Sequence, residues 1–446
     1  MDLPVDRYSF PLDWKIDSID KIAEFNRGIS WRKIEEADSN EGILVISIPN
    51  IQEGKIDFDS KYNHYISKKV PETKRLYKGD IVFVGSSGSI HNVGRNALVI
   101  SLPEDEIAFA SFTFKAHKID KQVDNNFLYY LLNSSMSPFD RFCKRAADGK
   151  FNFQLRDYES KLRVPMPPLP EQRRIAAVLS LVQKAIEEQK RLIELTTELK
   201  KTLMHKLFTE GTRGEPQKQT EIGSIPESWK VVEIGAIADI KGGKRLPKGD
   251  KLVAKDTGYP YIRVTDFSEF SVDIHAIQFV PETVQKLISR YIIKTKDVFI
   301  SIAGSIGISG MIPEHLDGAN LTENAARLIY KDPKIICPRY LMYWLASDYC
   351  QNEIKAQTVK NAQPKLALAR IKLLKMVLPP LQEQMNIVNA IDIAGKTSEN
   401  ARAKKNQFQD LFRTLLHQLM TAEIRINDLD LAELGIEMEE QQAEAG

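Results

Sequence analysis

The sequence is poor in cysteine and has no long apolar run, and both shortages narrow the class of protein. Its 446 residues include three cysteines, Cys143, Cys337 and Cys350, and no two of them form a Cys-x-x-Cys pair. We therefore expect reduced thiols in a cytoplasmic protein without a disulfide framework. The apolar runs are too short for a membrane-spanning helix, and the first residues lack the basic region and apolar core of a secretory signal.

The chain also has little net charge. Its 62 basic and 60 acidic side chains give a formal charge of +2, which is far from the strongly basic balance of a small DNA-binding domain. Bulk charge therefore neither supports nor excludes a nucleic-acid partner. The charge is unevenly distributed, since residues 426–446 carry seven acidic side chains and no Lys or Arg. We predict a solvated acidic tail there, with the docking of a partner as an alternative role.

Several motifs of catalysis and metal binding are missing. The sequence has no Gly-x-x-x-x-Gly-Lys-Ser/Thr phosphate loop, no His-Glu-x-x-His and no nucleophile elbow. His205 and His417 occupy equivalent positions in two related segments, but neither has Cys or carboxylate partners at the spacing of metal ligands. We expect these histidines to pack at helix ends, and we predict that the chain itself binds no metal or cofactor.

An internal repeat sets the architecture. Residues 167–172 read Pro-Pro-Leu-Pro-Glu-Gln, and residues 379–384 read Pro-Pro-Leu-Gln-Glu-Gln, at an offset of 212. The alignment continues without a gap to Thr209 and Thr421, with 14 of 43 pairs identical. Weaker matches upstream keep the same order, including Trp14 with Trp229 and two apolar runs that end in Gly-Ser turns near residues 85–89 and 304–305. The chain is therefore a tandem duplication.

Each copy ends in a long predicted helix. Between Glu171 and Gly211 no Pro or Gly interrupts the chain, and apolar residues recur there at alternating steps of four and three. This stripe contains Ile175, Leu179, Val182, Ile186, Ile193, Thr196, Leu203 and Leu207. The second copy has a small, polar middle, so we predict that the two helices pair antiparallel and bury both stripes. Such a helix is about 58 Å long, which is the length of a spacer.

The predicted fold class is α+β, with two mixed α/β domains in tandem, each followed by a long helix, and the helices forming an antiparallel coiled coil. Short buried strands at residues 81–84 and 298–302 and helices at 127–133 and 340–347 are predicted inside the domains. The predicted divisions are a first domain at 1–165, a helix at 166–212, a second domain at 213–376, a helix at 377–425 and the tail at 426–446.

This layout resembles the specificity subunit of Type I restriction–modification systems. The resemblance rests on the repeated Pro-Pro-Leu-x-Glu-Gln motif, the Ile225–Lys230 opening of the second domain and the following Gly242–Gly249 segment. The first domain departs from the pattern, because its opening is shorter and its later segment reads Phe25-Asn26-Arg27-Gly28-Ile29-Ser30.

The resemblance implies that each target-recognition domain reads one half of a bipartite, asymmetric site in double-stranded DNA. The helices fix the spacing and dock two modification subunits, which carry S-adenosylmethionine and methylate adenine. Restriction subunits add translocation and cleavage with ATP and magnesium. The chain lacks the Asn/Asp-Pro-Pro-Tyr/Phe loop of adenine methyltransferases, so we predict a non-catalytic subunit. The predicted partner-binding residues open the two helices and are Glu171, Gln172, Glu383 and Gln384.

Candidate DNA contacts are basic and amide side chains in loops, because cations bind phosphates and amides read base edges. In the first domain they are Arg95, Arg141, Lys144, Arg145, Lys150, Asn152 and Gln154. In the second they are Lys241, Lys244, Arg245, Lys248, Lys360, Asn361, Gln363 and Lys365. The alternative for each group is a solvated basic loop, and the Gly-Ser turns are either phosphate-binding or plain strand-ending turns.

Two other functions are compatible with the sequence. One is the recognition subunit of a related restriction system in which a single partner chain combines methylase and nuclease. The other is a coiled-coil DNA scaffold without sequence preference. The number of partner genes distinguishes the first, and binding to DNA without sequence preference would favour the second.

Overall fold

The computed structural model describes residues 4–39, 41–103, 106–358 and 364–428. The chain divides into two compact units. Unit 1 comprises Met1–Gln189 and Ala403–Gly446, and unit 2 comprises Lys190–Arg402. Each unit thus contains a globular domain and one half of each long helix. The domain bounds inferred from the sequence divide the chain differently and stay a prediction.

Unit 1 is built mostly from short strands. They are β1 (Lys15–Ser18), β2 (Ala23–Arg27), β3 (Ile43–Ile46), β4 (His64–Ile66), β5 (Ile81–Val84), β6 (Ser86–Ser87), β7 (Asn96–Leu98), β8 (Ile107–Phe109), β9 (Thr113–Lys118), β10 (Cys143–Arg145), β11 (Phe151–Phe153) and β12 (Arg163–Met166). The helices are α1 (Asn125–Leu132), α2 (Leu155–Lys161) and the first long helix, α3 (Leu169–Glu210), whose first half belongs to this unit.

A four-stranded antiparallel sheet of order β2-β9-β5-β7 is the centre of unit 1. Its inner face carries Phe83 and Phe114, whose rings stack at 4.8 Å, and Phe153 from β11 stacks on Phe114 at 5.0 Å. A second sheet has the order β4-β3-β8, with β3 parallel to β8. The pair β1–β12 joins the start of the domain to the residues just before α3.

Unit 2 repeats this plan with small changes. Its strands are β13 (Gln217–Thr220), β14 (Gly223–Pro226), β15 (Lys230–Glu233), β16 (Ala238–Gly242), β17 (Pro260–Ile262), β18 (Phe267–Ser268), β19 (Ser271–Val272), β20 (Gln278–Phe279), β21 (Val298–Ser301), β22 (Ser309–Gly310), β23 (Asn320–Leu321), β24 (Ala325–Tyr330) and β25 (Lys375–Leu378). Its helices are α4 (Ile234–Ile237), α5 (Glu282–Ile288), α6 (Pro338–Leu345), α7 (Asp348–Gln357), α8 (Leu368–Leu373) and the first half of α9 (Leu381–Met420).

Three sheets of unit 1 have counterparts in unit 2. The order β16-β24-β21-β22 matches β2-β9-β5-β7, and β20-β17-β23 matches β4-β3-β8, including its one parallel pair. The pair β15–β25 matches β1–β12 in joining the start of the domain to the residues before the long helix. The duplication inferred from the sequence is therefore present in the fold.

The long helices pair antiparallel, as seen within each unit. In unit 1, Ile175 and Leu179 near the start of α3 share a core with Leu419 near the end of α9. In unit 2, Leu207 near the end of α3 shares a core with Ile387 near the start of α9. The predicted fold class is confirmed.

Burial along α3 follows the predicted stripe. Ile175, Leu179, Val182 and Ile186 are buried, and so are Thr196 and Leu207 further along. Ile193 and Leu203 are half-buried. Burial of apolar area against the partner helix, at about 25 cal/mol per Å², stabilises this long element, which helical propensity alone would not hold in water. No helix in the described ranges is both long and apolar enough to cross a membrane.

Two glycines occupy equivalent tight positions next to the central sheets. A Cβ atom at Gly28 would overlap the carbonyl oxygens of Phe109 and Ala110, and one at Gly243 would overlap those of Leu321 and Thr322. The main chain therefore approaches a neighbouring loop in both domains so closely that only glycine fits.

Replacement of Gly28 by alanine tests this close approach. The added methyl group meets rigid backbone, so Gly28→Ala should lower the free energy of unfolding of unit 1 by about 1–3 kcal/mol. Gly88→Ala is the matched control, because nothing lies within 4 Å of a Cβ there, and it should change stability by about 0.5 kcal/mol or less. Urea denaturation of both variants measures the difference, and equal losses would contradict the packing argument.

Candidate nucleic-acid interface

The predicted basic stretch of the first domain is a β-hairpin that pairs with the Gly-Ser turn. Strands β10 and β11 form the hairpin, and β6, which belongs to the turn, pairs with β11. Lys144, Asn152 and Ser86 lie opposite one another in successive strands. Two segments that lie more than 50 residues apart in the sequence thus form one three-stranded surface.

The cations of this hairpin are exposed and weakly paired. Lys144 lies 3.9 Å from Asp157, and Lys150 lies 3.4 Å from Asp148. All four side chains are more than two-fifths exposed, so these ion pairs stabilise the fold little and their cations remain available to phosphate. The Arg145 guanidinium lies over the Phe151 ring, 5.8 Å from its centre.

The other residues predicted to contact DNA in this domain differ in how exposed their side chains are. Arg141 is exposed on the turn before β10. Gln154 precedes α2, and its amide Nε2 donates to the carbonyl oxygen of Asn152 at 3.2 Å. Arg95 is half-buried, and its Nη2 donates to the carbonyl oxygen of Ile48 at 3.1 Å. The Arg95 guanidinium therefore hydrogen-bonds within the domain, whereas the Arg141 side chain is exposed to solvent.

The glycine segment of the second domain is held next to its own Gly-Ser turn. Lys244 donates its backbone N–H to Leu321 at 2.8 Å, and Ile302 donates its backbone N–H to Asn324 at 2.8 Å. Lys365 forms a β-bridge with Ala303, just before the Gly304-Ser305 turn. Residues 321–325 therefore contact both the glycine segment and the strand end before the turn, where Ala303 pairs with Lys365.

The cations of the glycine segment differ in how strongly they are paired. Arg245 forms an ion pair with Glu323 at 2.5 Å, and this hydrogen bond raises the pKa of the Arg245 guanidinium. The Lys244 ammonium lies 5.6 Å from the centre of the Tyr291 ring. Lys241 and Lys248 are exposed. The predicted residues Lys360, Asn361 and Gln363 lie outside the described residues.

The first domain has the same three-part edge. Gly28 donates its backbone N–H to Thr113 at 3.1 Å, Gly85 donates to Phe112 at 2.8 Å, and Phe153 donates to Gly85 at 2.9 Å. Each domain therefore gathers its glycine segment, its Gly-Ser turn and part of its predicted basic stretch, Phe153 in the first domain and Lys365 in the second, at one edge. We call this arrangement the three-segment edge.

Phe112 is not among the residues predicted from the sequence, and its exposed ring lies in the loop that contacts Gly85. It belongs to the run Phe109–Phe114, which reads as apolar strand. The chain turns after β8, and this turn exposes the Phe112 side chain to solvent. No periodicity in the run indicates the turn. The sequence indicates the Gly-Ser turn as a candidate for phosphate binding, but no local signal indicates that it pairs with the basic hairpin.

The glutamates of the Pro-Pro-Leu-x-Glu-Gln motif, Glu171 and Glu383, are buried in equivalent clusters of hydrogen-bond donors, which we call clamps. Glu171 accepts from the Trp14 indole at 3.0 Å and binds Arg425 through two hydrogen bonds of 2.8 Å. Glu383 accepts from the Trp229 indole at 3.1 Å and from the backbone N–H of Thr212 at 3.0 Å. In both clamps a tryptophan from the start of the domain meets a helix start and a residue beyond the end of a long helix.

Arg425 also binds Asp13, with Nη2 and Oδ2 2.9 Å apart. These hydrogen bonds, first to Glu171 and then to Asp13, raise the pKa of Arg425. The aligned arginine in unit 2 is Arg213, whose Nε lies 3.5 Å from Glu383. The arginine position of the clamp is therefore duplicated as well, with tighter geometry in unit 1.

The glutamines of the motif hold the segments before α1 and α6. Gln172 accepts from the backbone N–H of Asp124 at 2.9 Å, and its Nε2 donates to Gln122 at 3.0 Å and to Pro167 at 2.8 Å. Gln384 makes the same three kinds of bond, to Cys337 at 2.8 Å and to Ile335 and Pro379 at 2.9 Å.

This placement does not support the predicted partner-binding role of Glu171, Gln172, Glu383 and Gln384. All four side chains are at least nine-tenths buried, and their polar atoms are used within the chain. The motif recurs because each copy needs the same internal junction between domain and helix. Their partner-binding role stays a prediction, and sequence spacing alone does not reveal an intramolecular partner 254 residues away, such as Arg425 for Glu171.

Comparisons with known proteins agree with the duplicated layout. A family model described as the Type I restriction modification DNA specificity domain matches residues 11–197 and again residues 226–409. The MjaVIII specificity subunit of Methanocaldococcus jannaschii is 27% identical over 345 residues, covering 76% of this chain and 79% of that protein. The EcoBI specificity subunit of Escherichia coli is 25% identical over 446 residues, covering 94% and 88%.

Solved structures share the fold. The S subunit of a Type I restriction–modification system from M. genitalium superposes with a TM-score of 0.55 at 16% identity, covering 94% of this chain and 99% of that one. A chain from a study of complex assembly and conformational transition in the type I system gives the same TM-score at 19% identity, covering 94% and 100%.

Removal of Arg425 tests the clamp of unit 1. Arg425→Ala leaves the buried Glu171 carboxylate without its cation, so the free energy of unfolding of unit 1 should fall by about 1–3 kcal/mol. Arg413→Ala on α9 is the matched control, since among the described residues Arg413 pairs with the exposed Asp410, and it should cost about 0.5 kcal/mol or less. Chemical denaturation followed by tryptophan fluorescence compares them, and indistinguishable losses would refute the clamp.

Proposed function

The chain belongs to the family of Type I restriction–modification DNA specificity domains and is a specificity subunit, and from this premise we propose that each domain reads one half of a bipartite, asymmetric DNA site. The observation that carries the proposal is the three-segment edge, which occurs once in each domain. A protein that reads two half-sites needs two such surfaces on related scaffolds.

The chemistry of the edge suits duplex DNA. Exposed Lys144 and Lys150 in the first domain, and Lys241 and Lys248 in the second, lie where they can neutralise phosphates. Neutralising phosphates fixes the register of the protein on the duplex but carries no sequence information. Sequence is read by amide and other polar side chains of the same surface, for which Asn152 is the candidate in the first domain.

The two edges differ in the side chains that they present. Asn152 in β11 pairs with Ser86 of the Gly-Ser turn, whereas the equivalent bridge in the second domain pairs Lys365 with Ala303. An amide hydrogen-bonds best to adenine and a lysine to guanine. The two half-sites should therefore have different sequences, and the whole site should not be a palindrome.

The long helices serve as the spacer and as the docking surface for two modification subunits. Leu192, Leu195 and Leu199 form an exposed apolar stripe on α3, at steps of three and four residues. Exposed leucines at helical spacing are typical of a face that a partner covers. The modification subunits would supply S-adenosylmethionine and methylate adenine, and restriction subunits would add ATP- and magnesium-dependent cleavage.

In this proposal the chain recognises DNA and performs no chemistry itself, and it acts in the cytoplasm. The two alternative functions remain distinguishable by experiment. A related restriction system would supply one fused methylase–nuclease partner instead of separate modification and restriction subunits. A scaffold would retain DNA without regard to sequence.

Neutralisation of the hairpin tests phosphate binding by the first domain. The double variant Lys144→Ala/Lys150→Ala should weaken binding to all DNA sequences alike, because it removes two phosphate contacts. The slope of log K against log salt concentration should fall in magnitude by about two. Fluorescence anisotropy with labelled duplexes at several salt concentrations measures both quantities.

The matched control for this experiment removes two exposed lysines from α3, in Lys184→Ala/Lys206→Ala. Its salt slope should stay within experimental error of the unchanged chain, since these lysines lie on the helix and not at the three-segment edge. Equal slopes for the two double variants would place the phosphate contacts elsewhere.

Lengthening both helices tests the spacer. One extra turn near the middle of α3 and of α9, matched in register, adds about 5.4 Å, and a base pair rises about 3.4 Å. The gap between the half-sites should grow by one or two base pairs, read from the methylated motif. An unchanged gap in a folded variant would show that the helices do not set the spacing.

A further inference from the structure

A groove of about 430 Å³ lies beside the second half of α3 in unit 2. Its floor is apolar and includes Met204, Phe208 and Trp344. Its rim is polar and includes Lys201 and His205, which are one helical turn apart on α3. Such a groove needs an occupant that is apolar at its centre and polar at one edge.

Unit 1 has a counterpart of this groove that the chain itself fills. His417 and Leu416 on α9 correspond to His205 and Met204 on α3, at the offset of 212. The segment before β1 packs there, with Val5 buried and the Tyr8 ring 6.0 Å from the His417 ring in an edge-on arrangement. The next aromatic residue along the segment, Phe10, stacks on Trp14 at 5.8 Å.

The sequence explains why the groove of unit 2 is left open. With Trp14 aligned on Trp229, Phe10 corresponds to Ile225 and Tyr8 corresponds to Gly223. Ile225 lines the groove, and the aligned Phe10 packs against the core of unit 1. Gly223 has no side chain to replace the Tyr8 ring, and nothing lies within 4 Å of a Cβ built there. The aromatic ring that faces His417 in unit 1 therefore has no equivalent at the aligned position of unit 2.

The two histidines differ in the same way. In unit 1, His417 Nε2 lies 3.3 Å from the Glu423 carboxylate, and its Nδ1 lies 3.4 Å from Ser135 Oγ. The residue aligned with Glu423 in the first copy is Gly211. Within the described ranges, the His205 imidazole has no hydrogen bond or ion pair. Unit 2 thus lacks both the ring and the carboxylate that surround the histidine in unit 1.

We propose that this groove docks a polypeptide segment of the modification subunit, which inserts one aromatic side chain against His205 and places a carboxylate beside its imidazole. The identity of the partner rests on the proposed function, whereas the chemistry of the segment follows from the filled groove of unit 1.

An exchangeable ion pair supports the carboxylate. The rim carries lysines and carboxylates, and Lys200 pairs with Glu269 at 2.8 Å. Lys201 lies 3.6 Å from Asp348, and both of these side chains are exposed. Such an exposed pair is easily exchanged for a carboxylate from a partner. Continuity with the exposed stripe of Leu195 and Leu199 on the same helix places the groove next to the proposed docking face.

The first experiment probes the groove without any partner protein. The probe is a fluorophore-labelled synthetic peptide with the sequence of residues 4–12, which contains Tyr8 and Asp6, titrated with the full chain in an anisotropy assay. We expect saturable binding, weakened at least tenfold by His205→Ala in the chain and by replacement of Tyr8 with alanine in the peptide. His275→Ala is the matched control, since His275 is exposed in the same unit but outside the groove, and it should leave affinity within about twofold.

Absence of saturable binding, or binding that His205→Ala leaves unchanged, would overturn the proposal. Binding that is lost only with His417→Ala would mean that the peptide exchanges with the segment in unit 1, and this too would overturn it. His205 is exposed on a helix, so replacement by alanine does not threaten folding.

The second experiment identifies the occupant. With the modification subunits co-purified, His205→Ala should raise the dissociation constant of the complex at least tenfold, and His275→Ala should not change it. An unchanged constant for His205→Ala would remove the modification subunit as the occupant. If no modification subunit binds even the unchanged chain, the proposed function fails, and the peptide titration still decides the chemistry of the groove.

Discussion

The buried hydrogen bond between a tryptophan indole and a glutamate carboxylate is the interaction on which the rest of the structure depends. It joins Trp14 to Glu171 in unit 1 and Trp229 to Glu383 in unit 2. A carboxylate is stable in such a buried place only when donors surround it. Arg425 provides them in unit 1, so the first domain is completed by residues from the other end of the chain.

Duplication explains both the likeness and the difference of the two domains. The junction to the long helix is repeated nearly atom for atom, as the equivalent bonds of Gln172 and Gln384 show. The exposed surfaces have diverged, with Asn152 in one edge and Lys365 at the equivalent place in the other. A constant scaffold with variable edges suits a protein that presents two different readers to one duplex.

Much of the fold could be predicted from the sequence, because repeats and apolar periodicity are local signals. The seam of α3, the strand at residues 81–84 and the antiparallel helix pair were predicted on that basis and are present. The roles of Glu171 and Gln172 could not be predicted, because their partners lie far away in the chain. The groove beside His205 could not be predicted either, since residues that are distant in the sequence, such as Met204, Ile225 and Trp344, line it together.

The most direct test of the central claim, that two diverged domains read two different half-sites, is a genome-wide map of adenine methylation. The chain is expressed with its neighbouring methyltransferase gene, and the map is compared with one made without the chain. The account predicts a single bipartite, non-palindromic motif that is lost when the chain is omitted. A palindromic motif, or methylation that is unchanged without the chain, would contradict it.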